Sequence, residues 1–185
     1  RDINVINKLK EIENDIIKNK NSIQNITNYV DDVINEVLNI LVSNDYINVL
    51  YNSYELTIKG KIASNIHETS CLLMTELIYN DNLNLLNVNE LAAFMSCFTN
   101  ISVNDDYKTS KISNSNISNI VMIYNNWQNK YLDLEYNTNI QNSDEIHYDI
   151  IDDVYNWCLA ENENDCKVIT DELFNKGISK RVTTL

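Results

Sequence analysis

Side chains that commonly do chemistry in proteins are sparse in this 185-residue sequence, and they are not grouped. Its four cysteines lie far apart and form no Cys-x-x-Cys pair: Cys71, Cys97, Cys158 and Cys166. A zinc site needs closely spaced ligands, and the two histidines, His67 and His147, stand alone. We therefore predict no metal site and no catalytic residue, and we interpret the cysteines as reduced thiols that act as small core residues.

Reduced thiols indicate a reducing compartment, so we expect the protein to be intracellular, in the nucleus or cytoplasm, and not secreted. No apolar run approaches the roughly 18 residues that a transmembrane helix needs, and no secretory signal opens the chain. We expect no membrane partner. The sequence begins at Arg1 and not at Met, and we expect it to be a piece of a longer protein.

Motifs that bind nucleotide phosphates are missing from the sequence. It contains neither a Gly-x-x-x-x-Gly-Lys-Thr loop nor an Asp-Glu-x-His box, so we expect no cofactor in this chain and no ATP hydrolysis by that mechanism. The formal net charge of −13 also repels phosphate. Any contact with nucleic acid must therefore depend on a few basic side chains, with other domains holding the strand.

Helices must position any site that the chain carries, because the sequence has no proline and only two glycines. Residues 1–24 form a predicted stalk-like helix with a narrow apolar stripe at spacings of three and four, interrupted at Asn19. The stripe begins with Val5, Leu9, Ile12 and Ile16 and continues at Ile23 and Ile26. It is typical of one helix of a long antiparallel pair, whose partner helix is not in this chain.

Residues 25–60 are predicted to form the closing half of a winged helix. An amphipathic helix runs from Val30 to Leu41. Two short alternating runs follow, 46–50 and 54–58, with a turn at Asn52-Ser53 between them. Such runs around a polar turn predict a β-hairpin, the wing of a winged helix.

Residues 61–185 are predicted to form a helical bundle with an exposed loop at 100–116. The predicted helices cover 63–67, 71–79, 117–134 and 146–158. A further helix is capped by Asn87 with Glu90 three residues on, and a short helix near Asp165 and a last one from about Glu172 complete the bundle. Trp127 and Trp157 are interpreted as core residues and not as a base-stacking platform. The predicted fold is all-α: a helical bundle preceded by a winged-helix remnant with one small β-hairpin and the stalk-like helix.

Five strings in this sequence resemble, in order, the C-terminal DSHCT domain of superkiller-like, exosome-associated RNA helicases of superfamily two. Residues 56–66 are similar to L-T-x-K-G-R-x-A-x-E-I, 73–80 to L-L-T-E-L-I-F-N, and 87–98 to a stretch ending L-S-C-F. Residues 154–158 are similar to V-Y-x-W-A, and Ile169-Thr170-Asp171 with Phe174 resemble L-T-D-x-F-E-G-x-x-I-R. One string alone is weak evidence, but five in the right order over about 25–185 are specific.

The resemblance implies that this chain is the RNA-gripping, ratchet part of an ATP-dependent RNA helicase used in RNA unwinding or processing. ATP and Mg²⁺ would bind the motor domains, which lie outside this chain. Its implied partners are single-stranded RNA held by the whole helicase, the motor domains and an RNA-processing complex. The first helix matches, in position, the returning arm of the stalk that exosome-associated members insert into their winged helix.

The resemblance also implies two RNA-binding residues, Lys180 and Glu76, and Arg181, next to Lys180, is a third candidate. Lys180 takes the place of a family arginine that approaches RNA, and on a continued last helix it would point away from the apolar arc of Phe174 and Ile178. Glu76 matches the acid of the T-E-L string and would orient a base, a ribose hydroxyl or a basic neighbour. The alternatives are a solvated lysine at 180 and, at 76, a carboxylate satisfied by a helix end.

A second reading of the sequence is an acidic, all-helical protein-interaction or scaffold module without RNA contact. The RNA-contacting and the interaction-module interpretations differ in where four basic residues lie. They would either line a groove with Glu76 or be scattered over the surface: Lys167, Lys176, Lys180 and Arg181. A third interpretation is a complete small enzyme, but the sequence contains no group of residues at catalytic spacing.

Overall fold

The computed structural model describes residues 2–51, 53–99, 101, 103–109, 111–136 and 146–178. In these ranges the chain forms seven α-helices, three short 3-10 helices and one two-stranded antiparallel sheet, which confirms the predicted, mainly helical fold. The elements are α1 (Asp2–Ser43), β1 (Ile47–Leu50), β2 (Ser53–Leu56), α2 (Ile58–Ala63), α3 (Cys71–Tyr79), α4 (Val88–Met95), α5 (Ser115–Tyr136), α6 (Ile151–Leu159) and α7 (Glu163–Asn175). The 3-10 helices are Asn82–Leu85, Ser96–Phe98 and Asp105–Tyr107.

Helix α1 is a single element of 42 residues that joins the two segments predicted separately, with no break between residues 24 and 25. Every side chain from Asn7 to Asp32 is exposed. Only the C-terminal end of α1 packs against the core, through Leu38, Ile40 and Leu41. The helix therefore extends away from the rest of the described protein.

The predicted hairpin is confirmed, although its turn and its end differ from the prediction. Ser53, predicted in the turn, pairs with Leu50, and Ile58, predicted in a strand, begins α2. Helix α2 lies one turn earlier than the predicted 63–67 because the Thr57 side chain accepts a hydrogen bond from the Gly60 backbone N–H at 3.0 Å and caps it.

The core lies among α3, α4, α5 and α6 and reaches the start of the hairpin. Its fully buried members include Tyr46, Leu77, Phe94, Cys97, Ile117, Ile120, Tyr124 and Ile151. Helix α4 begins with the predicted capping box, in which Asn87 and Glu90 each accept a hydrogen bond from the other's backbone N–H, at 3.0 and 2.9 Å. The Phe94 and Phe98 rings pack edge to face, with centroids 5.2 Å apart.

The C-terminal half departs from the prediction in several places. Helix α6 begins at Ile151 and not at 146, and α7 is one helix where two were predicted. It ends at Asn175 because Gly177, with φ of 94°, turns the chain, and the Ile178 N–H donates to the Leu173 carbonyl. The predicted continuous helix carrying Phe174 and Ile178 on one arc is therefore wrong.

The two tryptophans differ in burial. Trp127 packs against the core as predicted, whereas Trp157 is 50% exposed, so the core prediction for Trp157 is wrong. It lies six residues after the buried Ile151, which places it about 120° round α6 from that residue.

The four cysteines differ in burial. All four cysteines are free, and only Cys97 is fully buried, where burial raises the pKa of its thiol to about 12. Among the described helices, none has a stretch both long enough and apolar enough to cross a bilayer. The described residues also contain no group of three or more metal-ligating side chains.

Candidate functional site

Four side chains from four parts of the chain meet inside the protein, and we call them the Glu76 cluster: Tyr46, Lys59, Glu76 and Tyr131. Tyr46 precedes β1, Lys59 lies on α2, Glu76 on α3 and Tyr131 on α5. The Glu76 carboxylate is 1% exposed and Lys59 is 9% exposed. A charged pair buried to this degree is stable only when each charge has close partners.

One oxygen of the Glu76 carboxylate, Oε1, receives most of the hydrogen bonds. It accepts from Lys59 Nζ at 2.7 Å and from the Tyr131 hydroxyl at 2.7 Å, and the Tyr46 hydroxyl lies 3.2 Å away. The Tyr46 hydroxyl donates a hydrogen bond to the Leu72 carbonyl at 3.0 Å, and the Tyr131 hydroxyl donates to Glu76. The cluster is therefore a closed network around Oε1, while Oε2 has the Asn80 side-chain amide at 3.4 Å.

The Lys59 ammonium joins the end of α1 to α3. Besides Glu76, Nζ donates to the Asn44 carbonyl at 3.0 Å, directly after α1. It also sits 4.5 Å from the centroid of the Tyr46 ring, within cation–π range. The positive charge of Lys59 is therefore paired inside the protein and is not available to a phosphate.

Gly60, next to Lys59, holds α2 close to the start of the hairpin. A β-carbon at Gly60 would collide with the backbone oxygen of Tyr46. Glycine is needed here because its missing side chain permits the close approach. The same Tyr46 oxygen accepts a hydrogen bond from the Thr57 N–H at 3.1 Å, so α2 and the hairpin meet backbone to backbone.

Both tyrosines of the cluster remain hydrogen-bond donors across the physiological pH range. Burial raises the pKa of the Tyr46 hydroxyl well above its ordinary value, and the charge of Glu76 raises it further. Burial, followed by hydrogen bonds to Tyr46 and Glu76, raises the pKa of Tyr131 in the same direction. The arrangement holds four elements in place and exposes no group for acid–base catalysis.

A second buried carboxylate, Glu90, is satisfied by amides and not by a cation. Besides capping α4, its Oε1 accepts hydrogen bonds from the side chains of Asn114 and Asn116, at 3.1 and 2.9 Å. The backbone hydrogen bond from Asn87 and these amides hold the pKa of Glu90 below its ordinary range. Glu90 thereby links the start of α4 to the start of α5.

The predicted RNA-binding residues fall in different places. Glu76 is enclosed, so in this structure it orients a basic neighbour, Lys59, and has no surface on which to touch a strand. Its partners are a lysine and two tyrosines, which differs from the predicted alternative of a helix end. Lys180 and Arg181 lie outside the described residues, so their role stays a prediction.

The two other basic residues of the predicted groove are described, and neither contacts Glu76. Lys176 Nζ forms an ion pair with Asp153 at 2.6 Å, and Lys167 is exposed on α7. A groove that combines these two lysines with Glu76 is therefore not formed. This outcome leaves Lys180 and Arg181 to carry the predicted RNA contact.

Lys59, Tyr46 and Tyr131 were missed as partners of Glu76, although the sequence contains a signal for them. Glu76 stands in an otherwise apolar helix, and a buried acid requires a nearby cation or several donors. Lys59 lies in the first of the family-like strings and Glu76 in the second. The two strings therefore meet in space through one ion pair.

One open cleft of about 420 Å³ lies beside α5 in the described part of the chain. Its lining is uncharged: Ile112, Ser118, Val121, Met122, Asn125, Asn126 and Tyr148. Two of the polar groups on its wall bond to each other, since the Asn125 amide donates to the Tyr148 hydroxyl at 3.0 Å. The cleft therefore offers little to a charged ligand.

Comparison with known families agrees with this arrangement of strings and elements. The chain carries a mainly helical domain with a small hairpin, and the family model of the DSHCT (NUC185) domain matches residues 53–172. The chain therefore belongs to the DSHCT family, whose domain occurs in Ski2-like RNA helicases. None of the curated proteins matches the chain.

Proposed function

We propose that this chain is the C-terminal, RNA-contacting part of an ATP-dependent RNA helicase whose motor domains lie outside residues 1–185. The observation that carries the proposal is the match of the DSHCT domain, a domain of helicases, to residues 53–172. The motor would bind ATP and Mg²⁺ and do the chemical work. This chain would supply a rigid surface beside the translocating strand.

The packing of the described residues supports a rigid role. A surface that guides RNA must keep a fixed position, which requires side chains locked by packing and by hydrogen bonds. The Glu76 cluster ties the hairpin, α2, α3 and α5 together, and Glu90 ties α4 to α5. Both networks are satisfied internally, so they fix the body without using groups that RNA would need.

RNA contact by this chain depends on Lys180 with Arg181. Because the net charge is −13, one or two bases cannot overcome the long-range repulsion of phosphate alone. They contribute only when the motor already holds the strand. We therefore expect RNA binding to be weak in the isolated chain and to depend on Lys180 in the whole helicase.

The test is Lys180→Ala in the protein with its motor domains, with RNA affinity measured across salt concentrations. The slope of log affinity against log salt should fall by roughly one unit, alike for different sequences, as for loss of one phosphate contact. Lys180→Arg should retain binding. Lys167→Ala, which removes the same charge from an exposed position on α7, is the matched control and should leave the slope unchanged.

Two outcomes contradict the residue assignment. An effect of Arg181→Ala without one of Lys180→Ala would move the contact by one residue. No effect of either would remove RNA contact from this part of the chain and would favour the protein-interaction module.

The second candidate function, a protein-interaction module, is supported by the exposed apolar side chains of α6 and α7. Large apolar side chains are exposed on α6 and α7, with Trp157, Leu159 and Val168 each about half exposed. Exposed aromatic and aliphatic residues are typical of protein-binding surfaces. If Trp157→Ala releases the helicase from its protein complex while RNA affinity stays constant, the interaction module is the better description.

A further inference from the structure

Helix α1 ends in a turn that sets the direction of the chain as it leaves the helix. The Tyr46 N–H donates to the Leu41 carbonyl at 2.8 Å, and the Asp45 N–H donates to the Val42 carbonyl at 3.1 Å. Asp45 has a φ of 61°, in the left-handed region. Two nested hydrogen bonds around a left-handed residue form the Schellman motif, which closes many helices. The motif therefore defines the backbone path from the end of α1 to Tyr46.

This turn needs support from other parts of the chain. Its left-handed position is occupied by Asp45, although glycine is the usual residue there because a β-carbon is disfavoured in that conformation. Packing holds only the end of α1, through Leu38, Ile40 and Leu41. The direction of the rest of α1 therefore depends on how firmly the turn is held.

The first of the family-like strings, which includes Thr57 and Lys59, supplies this support. Lys59 Nζ donates to the Asn44 carbonyl at 3.0 Å. The Thr57 hydroxyl donates to the Asp45 carbonyl at 2.6 Å, and the Thr57 N–H donates to the Tyr46 carbonyl at 3.1 Å. The string thus binds the carbonyls of three consecutive residues directly after α1.

Thr57 and Lys59 are themselves fixed by other contacts. The Thr57 oxygen accepts from the Gly60 N–H at 3.0 Å, which makes Thr57 the cap of α2. Lys59 Nζ is bound by the buried Glu76 carboxylate at 2.7 Å. An ammonium is also favourable beside the last carbonyls of a helix, which carry a partial negative charge. The hydrogen bonds to the turn therefore come from side chains that cannot move freely.

We propose that Thr57 and Lys59 are positioning residues that fix the direction of α1 relative to α2 and α3, and we call them the clamp. Thr57 holds the turn to α2, and Lys59 holds it to α3 through Glu76. The clamp gives α1 one orientation, although most of its length touches nothing else in the described part of the chain. This role requires no contact between the clamp and RNA.

The distance between two spin labels tests the clamp in the chain of residues 1–185. One label replaces Asn14 on α1 and the other replaces Asn129 on α5, both of which are exposed. The labels are attached through a non-natural amino acid, so that the four native cysteines stay unmodified. Double electron–electron resonance gives the distribution of the distance between them. Because residue 14 lies about 45 Å along the helix from Asn44, a small freedom at the turn broadens this distribution visibly.

Two variants remove the clamp by different routes. Thr57→Val replaces the hydroxyl with a methyl group, and the distance distribution should become roughly two-fold broader. Lys59→Met with Glu76→Leu removes the contact with Asn44 without leaving a buried charge, and it should broaden the distribution similarly. Thr57→Ser keeps the hydroxyl and should keep the original width. Lys61→Ala, which removes an exposed lysine of α2, is the matched control and should also keep it.

Thermal unfolding monitored by circular dichroism shows which variants are folded at the temperature of the distance measurement. Because the two routes remove different contacts, either one decides the question if the other variant does not fold. The proposal is overturned if the folded variants keep the original width, or if Thr57→Ser and Lys61→Ala broaden the distribution to the same extent. RNA takes no part in this measurement, so failure of the clamp leaves the proposed helicase role to its own salt-dependence test.

Discussion

Helix α1 and the body formed by the described residues between 46 and 178 place their side chains in opposite ways. Along α1, isoleucines such as Ile23 and Ile26 face solvent. Inside the body, a carboxylate and an ammonium, Glu76 and Lys59, are almost completely enclosed. The difference shows that hydrophobicity alone does not decide burial, because what decides it is whether a matching partner lies within reach.

The body and the middle of α1 differ in where their stabilising partners lie. The body has its partners within the described chain, so substitutions in the Glu76 cluster should change its own free energy of unfolding. The middle of α1 has none there, so substitutions on its stripe should change association and leave the body unaffected. The predictions below test this separation.

The largest effect is expected for Glu76→Ala. It leaves the Lys59 ammonium buried without its counter-charge, which should lower the free energy of unfolding by about 3 to 5 kcal/mol. Urea denaturation measures it, with the exposed Glu68→Ala as control. Lys59→Met combined with Glu76→Leu should recover most of the loss, because it removes both charges. A loss below about 1 kcal/mol for Glu76→Ala would show that the cluster is not what stabilises the body.

A smaller effect is expected for Gly60→Ala. The added methyl would push α2 away from the Tyr46 carbonyl and should cost about 1 to 3 kcal/mol, as overpacking does. Lys61→Ala, one residue on and exposed, should change stability by less than about 0.5 kcal/mol. Equal effects of the two substitutions would contradict the close approach.

Loss of the N-terminal cap of α4 should lower the free energy of unfolding by less than Gly60→Ala does. Asn87→Ala removes the side chain that accepts from the Glu90 N–H and should lower stability by about 1 kcal/mol. Asn84→Ala, in the preceding 3-10 helix and exposed, is the control. Thermal unfolding monitored by circular dichroism gives both values, and an effect no larger than that of the control would contradict the capping box.

Glu90 gives the body a pH dependence in the acid range. Its pKa is lower in the folded than in the unfolded chain, so its stabilisation is complete above the unfolded value, about 4.3, and is lost as the pH falls through the folded value. Stability measured from pH 6 to pH 3 should therefore fall more steeply for the original chain than for Glu90→Gln. Parallel curves would rule out this contribution.

The smallest effect on the body is expected from α1. Ile23→Ala, on the stripe, and Ile17→Ala, outside it, should both change unfolding of the body by less than about 0.5 kcal/mol. Only Ile23→Ala should weaken the pairing of α1 with a partner helix from outside residues 1–185. A large effect of either on the body would mean that α1 packs against it along its length.

Sequence patterns predicted the elements whose signals are local. The hairpin follows from alternation, and the start of α4 follows from Asn87 and Glu90, which lie three residues apart. Helix α7 was divided in two because its apolar face is weak, while the stop at Gly177 was overlooked although glycine is the usual residue there. These errors concern where helices begin and end, for which several residues compete.

The candidate site was less predictable because it depends on contacts between distant residues. Tyr131 and Glu76 are 55 positions apart, and no spacing rule connects them. What the sequence did show was an acid in an apolar helix, without its cation. The family-like strings contained both Lys59 and Glu76 but did not indicate that the two side chains touch.

The junction at Asn44 makes α1 a lever. By its rise per residue the helix is about 63 Å long, while the Asn44 carbonyl is held 3.0 Å from Lys59 Nζ and the next residue, Asp45, adopts a left-handed conformation with φ of 61°. A tilt of about 5° at this junction swings the far end by about 5 Å, whereas the Asn44 carbonyl, which lies at the junction itself, moves far less. Conversely, a sideways force on the far end acts on this junction through the whole length of the helix. Anything that grips the end of α1 therefore pulls directly on the Glu76 cluster.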